Sequence, residues 1–304
     1  VNFYVVVPTL NAAKDWSQLT LPLLESISAD RVLILDSSST DQTANLANAA
    51  GFRVHVIPRS DFNHGGTRQL ALELLPDAEL LVFLTQDVKM AGPSAISRLI
   101  EVFIDPTVAA AYGRQLPRPN ATPIEAHARF YNYPAKSEVR ALASRDRLGF
   151  KAIFISNAFA AYRRDALLAV GGFPRDVVFG EDTITAAKLL LARWKIAYVA
   201  EALVYHSHSY TWLQEFKRYF DIGVLHAKEG WLLDEFGGAA GEGGRFVRSE
   251  FRYLWVSSKK LIPSALIRTG IKFAGYKLGS LEEKLSPQWK RRLSMNPGFW
   301  KMKN

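Results

Sequence analysis

Short apolar runs alternate with helical patterns through the first half of the chain, which predicts a sheet built from βα units. Residues 3–7 read as a buried strand, 8–11 as a turn and 19–27 as a helix. A second strand, 31–35, ends at Asp36, and Ser39 or Thr40 then caps a helix through 44–49. Further strands are expected at 52–57 and 80–84, with a helix between them beginning near Gly66, and 109–112 is a shorter candidate. Residues 114–147 are poor in pattern and rich in Pro, Arg and aromatics, so a long excursion is expected there, either a wall beside the sheet or a mobile loop. Strand character returns at 153–155 and 158–162. A helix starts at Glu181-Asp182 and runs toward Trp194, short strands follow at 196–199 and 203–205, and 212–233 is helical. Glycine is dense enough in 237–244 to predict a flexible joint. Beyond it, 246–261 and 265–278 predict two basic, aromatic-rich helices separated by Pro263, and no internal repeat is present.

Composition narrows the class. At 304 residues, 48% hydrophobic and 22% charged, the chain has ample material for a buried core. The absence of cysteine excludes disulfides and thiolate zinc sites. No basic-then-apolar opening resembles a signal peptide, and no window approaches the roughly 20 apolar residues that span a bilayer. These features predict a soluble or peripheral protein; the expected location is the cytoplasm, peripheral on the inner face of the membrane. The net charge of +9 is unevenly placed: residues 245–304 carry fourteen Lys and Arg against Glu250, Glu282 and Glu283, so the preceding body is near neutral. Such a basic region seeks an anionic partner. Phe246, Phe251, Tyr253, Leu254 and Trp255 interleave with Arg248, Arg252, Lys259 and Lys260 as in an interfacial helix, so contact with anionic membrane is expected; a helix packed on the body with a solvated basic face is the alternative. No recognition module accompanies the charge, so nucleic acid is not an expected partner.

Candidate chemistry gathers where the strands end, since ligands of open α/β sheets bind outside the carboxyl ends of strands. Asp36 closes a buried strand and needs a partner, which a ribose hydroxyl or a base N–H would supply. Ser39, Thr40 and Asp41 serve equally well as a helix cap. Asp87 follows the most apolar strand, and His206 and His208 follow 203–205, where alternate residues point to one side and can share a site. Glu181-Asp182 is delivered to a helix start by Phe179-Gly180, where an Asp is expected to stay ionised. Asp61-Phe62-Asn63-His64-Gly65-Gly66-Thr67-Arg68 places two glycines before a helix, allowing close approach to a ligand, with Arg68 as a cation for phosphate or a base carbonyl. The motif lacks the Gly-Lys-Ser/Thr ending of a P-loop.

Taken in order, Val7-Pro8-Thr9-Leu10-Asn11, Asp36 with its Ser/Thr run, Gln86-Asp87, Gly180-Glu181-Asp182 and His206 resemble the inverting glycosyltransferases of family 2, over roughly residues 3 to 235. The 61–68 motif and His206-Ser207-His208-Ser209-Tyr210 resemble the bacterial rhamnosyltransferase branch. The resemblance implies an α/β GT-A fold, Rossmann-like, with a mainly parallel central sheet flanked by helices and a helical C-terminal appendage. It implies a catalytic domain over 1–236, with a nucleotide-binding half of about 1–113 and an acceptor-facing half of about 114–236. The joint at 237–244 and the basic region 245–304 would follow. It further implies dTDP-L-rhamnose as donor, a lipid-linked or polysaccharide acceptor, and Mg²⁺ or Mn²⁺ held by Asp87 and His206, with His208 as a further candidate. Asp182 would be the catalytic base. Pro8, Thr9, Asn11, Asp36, Ser38, Asp61, Gly65, Arg68, Gln86 and Asp87 would bind the donor, and Asn157, Glu181, His208 and Tyr210 would face the sugar or acceptor. One departure matters: Thr85 stands where the family's Asp-x-Asp metal motif has its first Asp.

Two other classes fit less. A sugar-nucleotide nucleotidyltransferase needs a Gly-rich, Lys/Arg-bearing loop after the first strand, which residues 8–16 lack. A non-catalytic binder of anionic surfaces accounts for the basic region and for none of the acidic residues before it.

Overall fold

The computed structural model of the protein describes residues 1–238 and 240–301. Strands and helices alternate through β1 (Phe3–Thr9), α1 (Trp16–Ser26), β2 (Val32–Asp36), α2 (Thr43–Ala49), β3 (Arg53–Val56), α3 (His64–Leu74) and β4 (Leu80–Leu84). Next come β5 (Lys89–Met90), α4 (Ala95–Glu101), β6 (Val108–Leu116), α5 (Pro123–Asn132), β7 (Glu138–Arg140), α6 (Arg145–Leu148), β8 (Phe159–Arg163) and α7 (Arg164–Ala169). The chain ends with α8 (Glu181–Leu191), β9 (Lys195–Tyr205), α9 (Trp212–Lys228), α10 (Trp231–Phe236), α11 (Ala240–Ser257), α12 (Ile262–Gly279) and α13 (Pro287–Leu293).

One mixed sheet has the order β3-β2-β1-β4-β8-β6-β9-β5, with β7 paired to β9. Strands β1, β2 and β4 are continuous apolar runs because helices cover both faces. Alternation sorts them: Val6, Leu33 and Phe83 join one core layer with Tyr112 and Tyr162, while Val5, Ile34 and Val82 join the other with Leu19 and Phe159.

Strand direction assembles the site. β8 runs antiparallel between β4 and β6, pairing Leu84 with Phe159. The residues before β8 therefore lie at the same edge as those after β4. β6 and β9 are parallel to each other and pair Gln115 with Val204 and Leu116 with Tyr205, so their last residues reach that edge too. Asp87, Asn157, Gln115 and His206, far apart in sequence, converge there.

Several expected elements differ. The 114–147 excursion is ordered: β6 continues to Leu116, and α5 opens on a capping box in which Thr122 and Glu125 satisfy each other's backbone N–H groups, with Pro123 in the first turn. Residues 153–155 form no strand, lying at the end of a 3₁₀ segment (Gly149–Ile153). The two short strands at 196–199 and 203–205 are one, β9, interrupted only by an irregularity opposite Gly113 and Arg114. The single helix at 212–233 is two, α9 and α10. The glycine-rich stretch is helical from Ala240; residue 239 lies outside the described residues. Contacts with the body override glycine's weak propensity there: Glu242 accepts a hydrogen bond from Tyr131 at 2.9 Å, and Phe246 packs edge-on against Tyr131.

Candidate active site

At the strand edge, Asp87, His206 and His208 bring one ligand atom each to within 4.8 Å of one another. Asp87 Oδ2 lies 3.2 Å from His206 Nε2 and 3.7 Å from His208 Nδ1. Burial alone would raise the Asp87 carboxyl, but the hydrogen bond and charge of His206, the Thr85 hydroxyl at 2.7 Å and His208 hold it well below the ordinary carboxylate range. Burial and the neighbouring His206 push the His208 imidazole down to about 3, leaving it neutral and able to act as a ligand. Tyr210 stacks on His208 with ring centroids 5.0 Å apart. Thr85 thus orients Asp87.

The tautomer of His206 follows from its neighbours. Gln115 Oε1 lies 2.8 Å from His206 Nδ1 and also accepts from the Arg129 guanidinium at 2.6 Å, while Gln115 Nε2 donates to Ser156 at 3.0 Å. Arginine can only donate, so the amide oxygen must face it, and His206 Nδ1 must carry its proton. The Nε2 lone pair then points at an ionised carboxylate 3.2 Å away. Such an approach requires a positive centre between the two, either a second proton or a metal ion. An ion held at about 2.1 Å from two ligands in octahedral geometry sets them ~3 Å apart, so the spacing fits.

A second cluster lies beside the first. Gly180, at φ +80°, delivers Glu181 and Asp182 to the start of α8; a Cβ there would be strained and would meet Leu225 Cδ2 at 2.5 Å. The Asp182 carboxylate accepts from the Thr183 N–H at 2.8 Å and the Asn157 N–H at 3.4 Å. Burial pushes its pKa up to about 7, the charge of Glu181 adding to the effect and the two N–H groups opposing it. The expectation of a fully ionised Asp182 is thus corrected: desolvation and a neighbouring carboxylate outweigh the helix terminus. Glu181 goes the other way. Burial opposes its ionisation, but Arg68 at 2.9 Å, His64 and Asn157 hold it below its ordinary value. One environment therefore separates two adjacent carboxylates. Asn157 follows Ser156, the Gln115 partner, so the two clusters share one wall.

Other expected contacts are redirected. Asp36 accepts from the Thr9 hydroxyl (3.1 Å) and from the Ser39 N–H (2.8 Å) and hydroxyl (2.6 Å), so the partner it needs is internal. Asn11 accepts from the Thr40 N–H at 2.8 Å, Ser38 donates to the Ile57 carbonyl at 2.8 Å, and Gln86 clamps both backbone groups of Leu10 at 2.7 and 3.2 Å. These residues, with Pro8 at the end of β1, knit the floor of the cleft. Arg68 is buried against Glu181 and the His64 carbonyl, which corrects its expected role as a phosphate cation. Gly65 admits the Pro174 carbonyl, which an added Cβ would meet at 1.7 Å, so the close approach is to the protein itself. Asp61 is exposed and accepts from the neighbouring Ser60 hydroxyl in the same loop. Glu181 and Asn157, expected to face the sugar, are instead buried partners of Arg68 and Tyr162.

Sequence reasoning missed four residues. Gln115 and Arg129 position His206, Arg118 donates to the Asp87 carbonyl at 2.6 Å, and the Arg218 guanidinium lies over Phe179 and Tyr210, 4.8 and 5.7 Å from the ring centroids. Only Gln115 had a legible signal, as a polar residue ending a strand, and that strand was expected to stop at Tyr112.

The fold and the matching family define a glycosyltransferase. The model of the family described as glycosyltransferase like family 2 matches residues 1–220, and the chain belongs to that family of glycosyltransferases. It is 44% identical over 298 residues to the O-antigen chain rhamnosyltransferase RfbN of Salmonella typhimurium, covering 97% of this chain and 95% of that protein. It is 43% identical over 301 residues to the O-antigen chain rhamnosyltransferase WbaN of Salmonella anatum, covering 98% and 96%. The fold is that of the mannosyltransferase PcManGT from Pyrobaculum calidifontis, solved in complex with GDP-Man and Mn²⁺ (TM-score 0.59, 18% identity, 100% of this chain and 86% of that one). The S. aureus TarS structure with UDP is also similar (TM-score 0.55, 16% identity, 93% and 91%).

Proposed function

We propose that the protein transfers L-rhamnose from dTDP-L-rhamnose to a hydroxyl of a growing, lipid-linked O-antigen chain, inverting the anomeric centre. The carrying observation is the split carboxylate pair: burial and the neighbouring Glu181 raise the Asp182 carboxyl, while Arg68 at 2.9 Å holds Glu181 below its ordinary value. Asp182 takes the acceptor hydroxyl proton as that oxygen bonds to the anomeric carbon. The bond from that carbon to the diphosphate oxygen breaks, and dTDP leaves with the electron pair. A base near neutral pH balances availability against proton affinity. The rhamnose donor is supported by the names of the two Salmonella relatives, each aligned over nearly its whole length.

Asp87, His206 and His208 would hold a divalent cation, which when bound neutralises charge on the diphosphate. Two imidazoles beside one carboxylate suit Mn²⁺ better than Mg²⁺, which prefers oxygen ligands. Arg118 and Arg218 add positive charge on the same wall. Replacing Gln115 by Leu removes the acceptor that fixes His206 and is expected to lower Mn²⁺ affinity by about 10–100-fold, read by paramagnetic resonance titration. Unchanged affinity would show that His206 needs no such support.

The donor is tested by thermal stabilisation across nucleoside diphosphates and their sugars, with and without Mn²⁺. At a hundred times its Kd, dTDP-L-rhamnose is expected to raise Tm by about 5 °C. A larger shift with UDP or GDP sugars would favour a family 2 enzyme with a different donor.

A further inference from the structure

Helices α11 and α12 are each fixed to the catalytic body by one face. From α11, Phe246 packs on His127 and Tyr131 (centroids 5.0 and 5.1 Å), Ser249 bonds His127 at 2.9 Å, and Leu254 is fully buried in a cluster with Ile124 and Ala265. From α12, Gly275 and Gly279 lie directly against the backbone of Phe216 and Phe220 in α9, and Arg268 and Lys272 pair with Glu215 at 3.0 and 3.7 Å. The two helices are therefore part of the folded body rather than a detachable tail.

Their opposite faces are exposed and apolar. On α11, Phe251 and Trp255 stand one turn apart with ring centroids at 5.7 Å, Trp255 being 53% exposed. On α12, Leu266 and Phe273 stand two turns apart, 57% and 63% exposed. A groove of about 640 Å³ between the helices, lined by Phe251, Leu254, Ile262, Ala265 and Leu266, joins the two stripes. Cations border them: Arg248 and Arg252 line the groove, the Lys259 ammonium lies 4.7 Å from the Trp255 ring centroid, and Lys277 lies 5.8 Å from that of Phe273. Of the three glutamates after Arg245, Glu250 and Glu282 are buried. The exposed charge around this face is thus almost wholly positive.

We propose that the α11–α12 face docks on an anionic lipid bilayer, with Phe251, Trp255, Leu266 and Phe273 entering the interface and the bordering Lys and Arg meeting lipid phosphates. Exposed aromatics flanked by long cations match the apolar-to-charged gradient of that boundary. A second copy of the chain is a poorer occupant, because a two-fold contact through this face would set basic residues against basic ones. Among the described residues no helix is long and apolar enough to cross a membrane, so the contact is superficial. The face is coupled to the active site through Arg268, which donates to the Tyr210 carbonyl at 3.0 Å, so docking holds the acceptor side of the cleft at a fixed attitude to the bilayer.

The test is co-sedimentation of the full chain with vesicles of phosphatidylcholine alone or mixed equally with phosphatidylglycerol. Binding to the anionic vesicles that weakens with salt is expected, with the double variant Trp255→Ser, Phe273→Ser binding at least about tenfold more weakly. Both side chains are exposed, so the variant's Tm and transfer to a soluble acceptor fragment should match the parent. Equal partitioning of parent and variant, or no preference for anionic vesicles, would overturn the proposal. So would a concentration-dependent dimer, without vesicle binding, that the same substitutions dissolve. Vesicle binding needs neither donor nor acceptor, so this result is independent of the rhamnosyl reading.

Discussion

Asp182→Asn is expected to lower kcat by about 10²–10⁴-fold while leaving the Kd for dTDP within about twofold. The amide keeps the shape of the side chain and its hydrogen bond from Thr183, but it cannot take the acceptor proton. Loss of nucleotide binding in this variant would remove Asp182 from the base role. Two pH effects accompany it. Because burial and Glu181 raise the Asp182 pKa to about 7, the parent rate should climb with unit slope through that pH and level off above it. Stability should move in the opposite direction. A folded-state pKa above the ordinary value of 3.8 means that Asp182 contributes fully to stability below about pH 4 and that this contribution is lost as pH rises through 7. Asp182→Asn should therefore raise Tm at pH 8 and lose that advantage near pH 4. The groups facing Asp182 do not cancel this effect: Glu181 stays ionised beside Arg68, and Tyr162, whose hydroxyl is buried and bonded to Asn157, keeps its proton. A flat Tm difference across pH would show that the raised pKa is absent.

The βα rhythm of residues 3–84 was legible because parallel strands buried on both faces, such as β2 and β4, are unbroken apolar runs. The ordering of 114–147 was harder to read. Its strand extension, Arg114 to Leu116, is mostly polar: Gln115 points at His206 rather than into a core layer, and Arg114 donates to the Tyr133 carbonyl. Its helix announces itself in Thr122-Pro123-Ile124-Glu125, a capping signature that the surrounding prolines and arginines obscured. Among site residues, those with opposing roles in adjacent positions were indistinguishable in sequence. Glu181 and Asp182 differ only in which of them reaches Arg68, a contact 113 residues away in the chain. The same holds for Arg68, whose charge was noted but whose partner Glu181 starts a distant helix, whereas Asp36 is satisfied by Ser39 in its own loop and by Thr9 at the end of β1.

Asp87→Ala should have the second large effect, removing the metal dependence of donor binding. With Thr85 at the first position of the family motif, Asp87 is the one carboxylate that joins His206 and His208 among the described residues. Once it is gone, only the imidazole nitrogens of His206 and His208 remain, while Arg118, 3.7 Å from the lost carboxylate, leaves a positive wall that repels a cation. Mn²⁺ affinity should therefore fall by more than the roughly 10–100-fold expected for losing a supporting partner such as Gln115. The variant's dTDP affinity should become the same with and without Mn²⁺, whereas the parent should bind dTDP more tightly when the ion is present. Calorimetric titration of dTDP against parent and variant, each with Mn²⁺ and with chelator, measures both differences. Asp182→Asn supplies the contrast, since it should keep the parent's metal response while losing transfer. If Asp87→Ala instead preserves that response, Asp87 serves only to orient His206 and the loop after β4, and the cation must be held elsewhere.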